Sequence, residues 1–276
     1  YRGKKSASDP GLQRKAPRNG ERHSKSSAGT IGGEKVQVYD ADTLYLIGST
    51  RLQQDKQILT DVKYNEGYFY FGTWGDDKND STYTENVYSC YSIGDIMYNK
   101  DKGKETEPVW TVEKNGGFYF ADALFTGDYV LFGSDRDTTK SSSGKGAMIF
   151  SCMSGRKYRE TQADDTVISA KPLEGDAKSA VVSDDTYPSI ILVATKGKKL
   201  YKFKLSAGGE LEKTEGKTEI DIDAQTTGAP AVYKGIMYMG LSNCTVEGVK
   251  ISTMEKINAV SVPNYPQAGI YIEVCK

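Results

Sequence analysis

The sequence predicts an all-β fold made of repeated four-stranded antiparallel sheets, and three observations support this prediction. Residues 115–137 contain two short apolar runs on either side of a Gly-Asp turn, which is the pattern of a β-hairpin. Degraded copies of this pattern recur along the chain. The 276 residues include 19 tyrosines but only 8 phenylalanines, which favours pleated, half-exposed surfaces. Four short strands per repeat of about 40 to 50 residues are typical of a β-propeller blade.

The hairpin of residues 115–137 is the best-preserved copy. Its first predicted strand covers residues 118–125, Gly127 and Asp128 form the turn, and the second strand covers residues 129–132 and ends at Gly133. A single hairpin cannot bury its own apolar face in water, so it needs neighbouring sheets. The other copies supply these neighbours.

Three further hairpins are predicted in residues 63–76, 181–197 and 231–243, with turns at residues 66–67, 184–185 and 234–235. A partial copy near the start lacks a recognisable first strand. The residues that close the second strands are taken as equivalent, and they are separated by 43, 61, 61 and 46 residues: Gly29, Gly72, Gly133, Ala194 and Gly240.

Alternating segments after these hairpins predict the remaining strands of each repeat. Third strands are predicted at residues 35–39, 86–91, 147–152, 199–205 and 246–251, and fourth strands at residues 108–113 and 256–263. The two longer repeats hold polar insertions at residues 76–85, 99–107 and 136–145. Their composition predicts exposed loops.

Residues 1–27 differ in composition from the rest of the chain, and we expect them to form a separate segment before a propeller of residues 28–276. The segment has eight basic residues, two acidic residues and one large aliphatic side chain, so disorder is predicted. A linker, or sequence not native to the fold, is the simplest interpretation. Because no aromatic residues after Tyr1 interleave with its charges, and the remainder is acidic overall, we expect no nucleic-acid partner. The chain also has no apolar run of 18 residues, so no membrane span is predicted.

Residues 29–44 read GTIGGEKVQVYDADTL, in which a glycine-rich turn and an alternating strand lead into an Asp-x-x-Thr turn. This arrangement resembles the repeat of the quinoprotein-like, or PQQ-like, β-propellers. Residues 38–44 fit that repeat well, and residues 205–209 and 251–254 fit it loosely. Residues 110–137 and 262–270 are similar to propeller segments of secreted, cell-surface proteins of Gram-positive gut bacteria. The resemblance covers about residues 29–270 and implies an extracellular or cell-surface location.

The chain departs from the redox members of that family. Those members hold a quinone between a tryptophan and adjacent cysteines, with a calcium ion and a catalytic aspartate. This chain has only Trp74 and Trp110, has no adjacent cysteine pair and lacks the tryptophan that most family blades repeat. We therefore expect no cofactor and no catalytic constellation.

The family's redox members also close rings of about eight blades, whereas this sequence predicts about four blades with partial units at both ends. An incomplete ring exposes unpaired sheet edges. We therefore expect the chain to be a truncated piece of a longer propeller. The alternative is a complete small ring of four or five blades.

The cysteines and the histidine exclude several kinds of site from the folded part. Cys90 and Cys152 occupy similar places on third strands, and neither they nor Cys244 and Cys275 have metal-binding spacing, so buried thiols are predicted. The sole histidine, His23, lies in the basic segment, which removes histidine-dependent catalysis and histidine-ligated metals.

Acidic residues cluster on loops after two of the second strands: Asp76, Asp77, Asp80, Asp135 and Asp137. Carboxylates bind Ca²⁺, but these residues do not have the spacing of an EF-hand loop. We predict no metal site and interpret the clusters as solvated loops, with calcium as the alternative.

Aromatic side chains near strand ends are the leading candidates for ligand contact, and the residues singled out are Tyr68, Trp74 and Tyr119. Tyr70, Phe118 and Phe120 belong to the same dense runs. Their flat faces can stack on sugar rings or anchor a protein partner. The alternative is that they fill the space between neighbouring blades.

Two functions are consistent with the sequence. The first is a non-catalytic, extracellular binding or scaffold propeller that takes a protein or carbohydrate ligand on its loop faces. The second is the remnant of a quinoprotein-type or sugar-acting enzyme whose catalytic groups lie partly in absent blades.

Overall fold

The structure is a computed structural model that describes residues 25–29, 35–51, 56–75, 86–114, 116–120, 122–137, 146–267 and 269–273. In this part of the chain, five antiparallel sheets follow one another, and each packs against the next as the blades of a propeller do. The predicted all-β propeller is therefore confirmed. One sheet has three strands and the others have four or five, and we number them as blades one to five.

The strands of each blade run in chain order. They are β1 (Lys25–Gly29), β2 (Lys35–Asp40) and β3 (Leu46–Arg51) in blade one; β4 (Gln57–Ile58), β5 (Lys63–Asn65), β6 (Tyr68–Trp74), β7 (Val87–Ser92) and β8 (Trp110–Glu113) in blade two; β9 (Leu124–Thr126), β10 (Tyr129–Gly133), β11 (Ala147–Met153) and β12 (Val167–Leu173) in blade three; β13 (Val182–Ser183), β14 (Ile190–Ala194), β15 (Lys199–Leu205), β16 (Leu211–Lys213) and β17 (Glu219–Asp221) in blade four; and β18 (Ala231–Tyr233), β19 (Ile236–Leu241), β20 (Thr245–Lys250) and β21 (Glu255–Ser261) in blade five.

The equivalent residues at the ends of the second strands are small for a steric reason. A Cβ on Gly72 would lie 2.4 Å from the Cβ of Phe118, and one on Gly133 would lie 2.5 Å from the Cβ of Ala177. At Gly240 the corresponding distance, to Cγ of Pro266, is 2.4 Å. In blades two, three and five, the segment that leaves the blade therefore crosses directly over this position, and only glycine leaves room for it, whereas blade four has the small Ala194 there.

Two predicted hairpins differ from the observed ones. Of residues 118–125, only Leu124 and Phe125 fall within a strand, β9. Gly117 and Phe120 have φ angles of 77° and 61°, which break the pleat, and the segment crosses between blades instead. In blade four, β14 begins only at Ile190, because residues 184–189 form a longer connection than the predicted two-residue turn.

Two short helices were not predicted. They are α1 (Ile93–Lys100), which connects β7 to β8 in blade two, and α2 (Gly155–Thr161), which connects β11 to β12 in blade three. Each begins after a serine whose Oγ accepts a backbone N–H of the first turn, from Asp95 to Ser92 and from Lys157 to Ser154, both at 3.2 Å. This is the usual N-cap arrangement.

The core lies between the blades. Blades two and three share an aromatic cluster in which the rings of Tyr88 and Phe132 stack with centroids 3.8 Å apart. Cys90 and Cys152 lie in the same cluster as unbonded thiols, and burial raises the pKa of both. The predicted buried thiols are thus observed at these two positions, while Cys275 lies outside the described residues.

The two ends of the blade series are not joined in the described part of the chain. No hydrogen bond there links blade five to blade one, and every residue of β21 is exposed. At the other end, β1 already begins at Lys25, inside the segment assigned to the basic tail, while residues 1–24 lie outside the described residues. None of the described helices has the length and apolarity needed to cross a bilayer.

Candidate functional site

The candidate aromatic residues lie at two different ends of the molecule. Tyr68 and Trp74 are the first and last residues of β6, so roughly 20 Å of strand separates them. At the Trp74 end lie the connections between blades, and at the Tyr68 end lie the hairpin turns and the two helices. Trp74 and Tyr119 come together, whereas Tyr68 does not join them.

Trp74 and Tyr119 form one cluster with Phe120. The edge of one ring meets the face of the other between Trp74 and Tyr119, at a centroid distance of 5.8 Å, and the Tyr119 and Phe120 rings are 4.2 Å apart. The Nζ of Lys178 lies 3.8 Å from the centroid of the Tyr119 ring, a cation–π arrangement. Phe120 is half exposed and has a left-handed backbone conformation, which is uncommon for a bulky residue.

The other aromatic residues of these runs serve packing. Phe118 and Tyr70 are fully buried between blades two and three. Tyr68 packs against that cluster beside α2, with the guanidinium of Arg159 at 5.9 Å from its ring centroid. The packing interpretation therefore applies to these three residues, and ligand contact stays a prediction for the others.

A cavity of about 550 Å³ adjoins Phe120. Its walls come from Ile58 at the end of β4, from the segments just before β5, β9, β13 and β18, and from Gln267 after blade five. Because four successive blades converge on it, this cavity lies where the axis of the propeller opens, and we call it the axial cavity. Its lining residues include Thr60, Asp61, Phe120, Asp122, Thr227 and Gln267.

The repeat places one residue of each of these four blades at the same point of the axial cavity. Counting from the strand pairs, the equivalent residues are Asp61, Asp122, Ala180 and Ala229. All four line the cavity. The wall is therefore acidic on the side of blades two and three and small and apolar on the side of blades four and five.

A lysine links the two acidic residues. The Nζ of Lys63 lies 3.1 Å from Oδ2 of Asp61 and 3.4 Å from Oδ2 of Asp122. The backbone N–H of Asp61 also donates to Oδ1 of Asp122, at 3.2 Å. Burial raises the pKa of Asp122, and the charge of Lys63 offsets this only in part. The two carboxylates thus share one cation at the wall of the cavity.

The two described aspartates among those considered for calcium face lysines. Asp137 pairs with Lys114 and accepts the backbone N–H of Gly116 at 2.9 Å. Asp135 pairs with Lys178 at 2.8 Å, and its burial raises its pKa to about 6. No group of three potential metal ligands occurs among the described residues, and Asp76, Asp77 and Asp80 lie outside them.

The aromatic runs of the sequence indicated Trp74 and Tyr119, but no pattern considered for ligand contact included Asp61, Lys63 and Asp122. The repeat spacing could have identified the two aspartates. Asp61 and Asp122 are separated by 61 residues, the same interval that separates Gly72 from Gly133. Aligning the two repeats on these glycines places both aspartates two residues before a first strand. The axial position of that point becomes evident only from the fold.

Solved structures with the same fold have little sequence identity to this chain. BamB from Moraxella catarrhalis has a TM-score of 0.52 and 13% identity, over 84% of this chain and 56% of its own. Sqt1 from Saccharomyces cerevisiae has a TM-score of 0.58 and 7% identity, over 87% of this chain and 59% of its own. A functionally unknown protein from Desulfotomaculum acetoxidans has a TM-score of 0.55 and 14% identity, over 87% of this chain and 66% of its own.

These comparisons show a β-propeller fold and nothing finer. The chain spans less than two thirds of the length of each of the three proteins. No protein-family model and no curated protein matches the sequence.

Proposed function

We propose that this chain is a non-catalytic binding propeller that takes a carbohydrate at the axial cavity and the adjoining aromatic cluster. The observation that carries the proposal is the position of Phe120. Phe120 is half exposed and lines a cavity whose wall also includes Asp61, Asp122, Thr227 and Gln267. An aromatic face beside a few polar groups suits a sugar ring, which has apolar faces and a polar edge.

The backbone conformation of Phe120 supports a role in binding. A non-glycine residue with positive φ costs free energy, and such residues are concentrated at binding and active sites. Phe120 is held in place by hydrogen bonds from its N–H to the carbonyl of Leu59 at 3.0 Å and from the N–H of Asp122 to its carbonyl at 2.9 Å. The backbone of Phe120 is thereby fixed before any ligand arrives, which reduces the entropy lost on binding.

The setting proposed for this activity is extracellular or at a bacterial cell surface, and it rests on the resemblance of the sequence to surface propellers. A protein partner on the same loop face is the other ligand class consistent with that setting. Carbohydrate is favoured because the axial cavity is concave, whereas most protein interfaces are broad surfaces of about 800 Å² per partner.

The alternative, a sugar-acting enzyme, requires two carboxylates with separate roles as acid and as base or nucleophile. Asp61 and Asp122 are close together, but both contact Lys63, so the one cation holds both carboxylates and offsets one of their two negative charges. This arrangement favours binding over cleavage. The two functions are distinguished by incubating the protein with an oligosaccharide that it binds and looking for cleavage products. Products formed by the unaltered chain but not by the Asp122→Asn variant would show that the protein is an enzyme.

The test is a glycan array followed by calorimetric titration of any sugar that binds. We expect Phe120→Ala to weaken binding by about tenfold, the loss expected for one stacking aromatic ring. Tyr98→Ala is the matched control, because Tyr98 is an exposed aromatic residue on α1 at the other end of the molecule. An empty array, or equal affinity in Phe120→Ala, would refute the carbohydrate site.

A further inference from the structure

A buried lysine lies between blades four and five, away from the axial cavity. Lys202 is on β15, where Leu200 shares its face and packs in the cluster that joins blade four to blade five. Only 5% of Lys202 is exposed. A lysine is almost never buried to this extent without a partner for its charge.

The fourth strand of blade four is interrupted opposite this lysine. Both β16 and β17 pair with β15, with Phe203 opposite Lys213 and Tyr201 opposite Glu219. Residues 214–218 loop out between the two strands, and the backbone N–H of Lys202 donates to the carbonyl of Thr218 at 2.8 Å. Interruptions of a sheet ladder are common beside binding sites, because they open the edge and redirect side chains.

The polar groups at this opening are incompletely satisfied. The Nζ of Lys202 donates to the carbonyl of Ile251 at 3.3 Å, and within the described residues no carboxylate lies within ion-pair distance of it. The Oγ1 of Thr214 is buried and has no hydrogen-bond partner in the described part of the chain. Burial lowers the pKa of Lys202, as expected for an ammonium group taken out of water.

Both groups line one cavity of about 510 Å³ between blades four and five. Its exposed rim carries both signs of charge, with Lys204 and Lys213 beside Glu212 and Glu215, and its buried carboxylate, Asp184, already accepts the backbone N–H of Thr186 at 2.8 Å. The outer charges therefore do not select strongly for either sign. Selection falls to the buried ammonium group of Lys202, which has donors left for an acceptor inside the cavity.

We propose that this cavity binds a small oxyanion, a carboxylate or phosphate group, through Lys202 Nζ and Thr214 Oγ1. An oxyanion supplies the opposite charge that the buried ammonium lacks, and it accepts the hydroxyl hydrogen of Thr214. Charge-assisted hydrogen bonds of this kind are stronger than neutral ones.

The test uses the whole chain and two probes, sodium acetate and inorganic phosphate, each titrated at constant ionic strength with thermal unfolding as the readout. We expect a saturable rise in melting temperature with at least one probe, since a ligand that binds only the folded state stabilises it. A response to acetate alone assigns a carboxylate ligand, and a response to phosphate alone assigns a phosphoryl group.

Variants locate the site. Lys202→Met retains the length of the side chain without its charge, and we expect it to weaken the apparent affinity by at least about tenfold, as loss of a charge-assisted hydrogen bond does. Thr214→Val should weaken it less. Lys104→Met removes an exposed lysine from the loop after α1, and we expect it to leave the affinity unchanged.

Either of two results overturns the proposal. One is the absence of saturable stabilisation by both probes in the unaltered chain, and the other is an unchanged affinity in a folded Lys202→Met variant. Should that variant fail to fold, Thr214→Val decides the matter, because a valine retains the shape of threonine and removes only the hydroxyl.

Discussion

Two regions of the molecule bury lysine side chains, and they treat the charge differently. At the face of the axial cavity, Lys114 and Lys178 each meet a buried carboxylate, Asp137 and Asp135. In the cavity between blades four and five, the one partner of Lys202 Nζ among the described residues is the backbone carbonyl of Ile251. Where a buried lysine joins loops together, the fold supplies the counter-charge. In the other region, burial lowers the pKa of the lysine.

Burial acts on both regions in the same physical way. It disfavours the charged form of each group, so it raises the pKa of Asp135 and lowers that of Lys202. The charge of Lys178 opposes this effect at Asp135 but does not overcome it. A buried ion pair therefore holds loops in place without necessarily adding to stability, and the comparison can be tested by removing one charge at a time.

The largest expected effect is that of Lys114→Met. This change leaves Asp137 in a buried position without its lysine, and breaking a buried pair in this way costs about 3 to 5 kcal/mol of unfolding free energy. Lys202→Met is the matched change in the other region and leaves no carboxylate behind. We expect it to cost nothing or to stabilise the protein slightly, as measured by urea unfolding. Equal losses in the two variants would contradict the distinction between the regions.

A smaller effect is expected from the pH dependence of Asp135. Its pKa of about 6 in the folded protein exceeds the ordinary value of 3.8, so the folded state binds the proton more tightly than the unfolded state does. The stability that this residue contributes is present below pH 4 and is lost as the pH rises through 6. Asp135→Asn stays neutral throughout. The unfolding free energy of the unaltered chain, minus that of the variant, should therefore fall between pH 4 and 6.5, by on the order of 2 to 3 kcal/mol.

Asp185 provides a control for the sign of this effect. The backbone N–H groups of Gly235 and Lys234 donate to its carboxylate, at 3.0 and 2.6 Å, and lower its pKa. The stability that it contributes is present above its ordinary pKa and is lost as the pH falls through the lowered value. Asp185→Asn should thus shift the pH profile in the opposite direction, and a shift of the same sign in both variants would contradict the assigned pKa directions.

The strands were predictable because their aromatic and β-branched residues alternate and their turns carry glycine. The turns at residues 66–67 and 234–235 have positive φ at both positions, as the Glu-Gly and Lys-Gly pairs indicate. The strand predicted over residues 118–125 was largely wrong. The segment crosses between blades and buries one aromatic ring while exposing the next, so its buried and exposed residues alternate as those of a strand do. The helices have seven or eight residues, too few for a clear helical period, and only their N-cap serines signalled them.

The two candidate sites differ in how far the sequence could predict them. The spacing of Asp61 and Asp122 follows the repeat, so repeat alignment finds the pair. Lys202 lies in the alternating stretch KLYKFKL, where Leu200, Lys202 and Lys204 share one face. That mixture of apolar and charged residues does not indicate burial. Lys202 is buried because blade five covers it, which is a property of the packing of two sheets rather than of either strand.

The smallest expected effect concerns an ion pair outside both regions. Arg159 on α2 donates to Asp95 on α1, with one N–O distance of 3.2 Å, and thereby connects blades two and three at the end opposite the axial cavity. Both side chains are more than a third exposed. Water screens such a pair, so Arg159→Ala should cost less than about 1 kcal/mol, and 1 M salt should remove most of the difference. Urea unfolding at low and high salt measures this. If Arg159→Ala lowered the unfolding free energy as much as Lys114→Met does, the exposed pair would stabilise the fold as much as the buried one. Burial would then not explain why some ion pairs matter more than others.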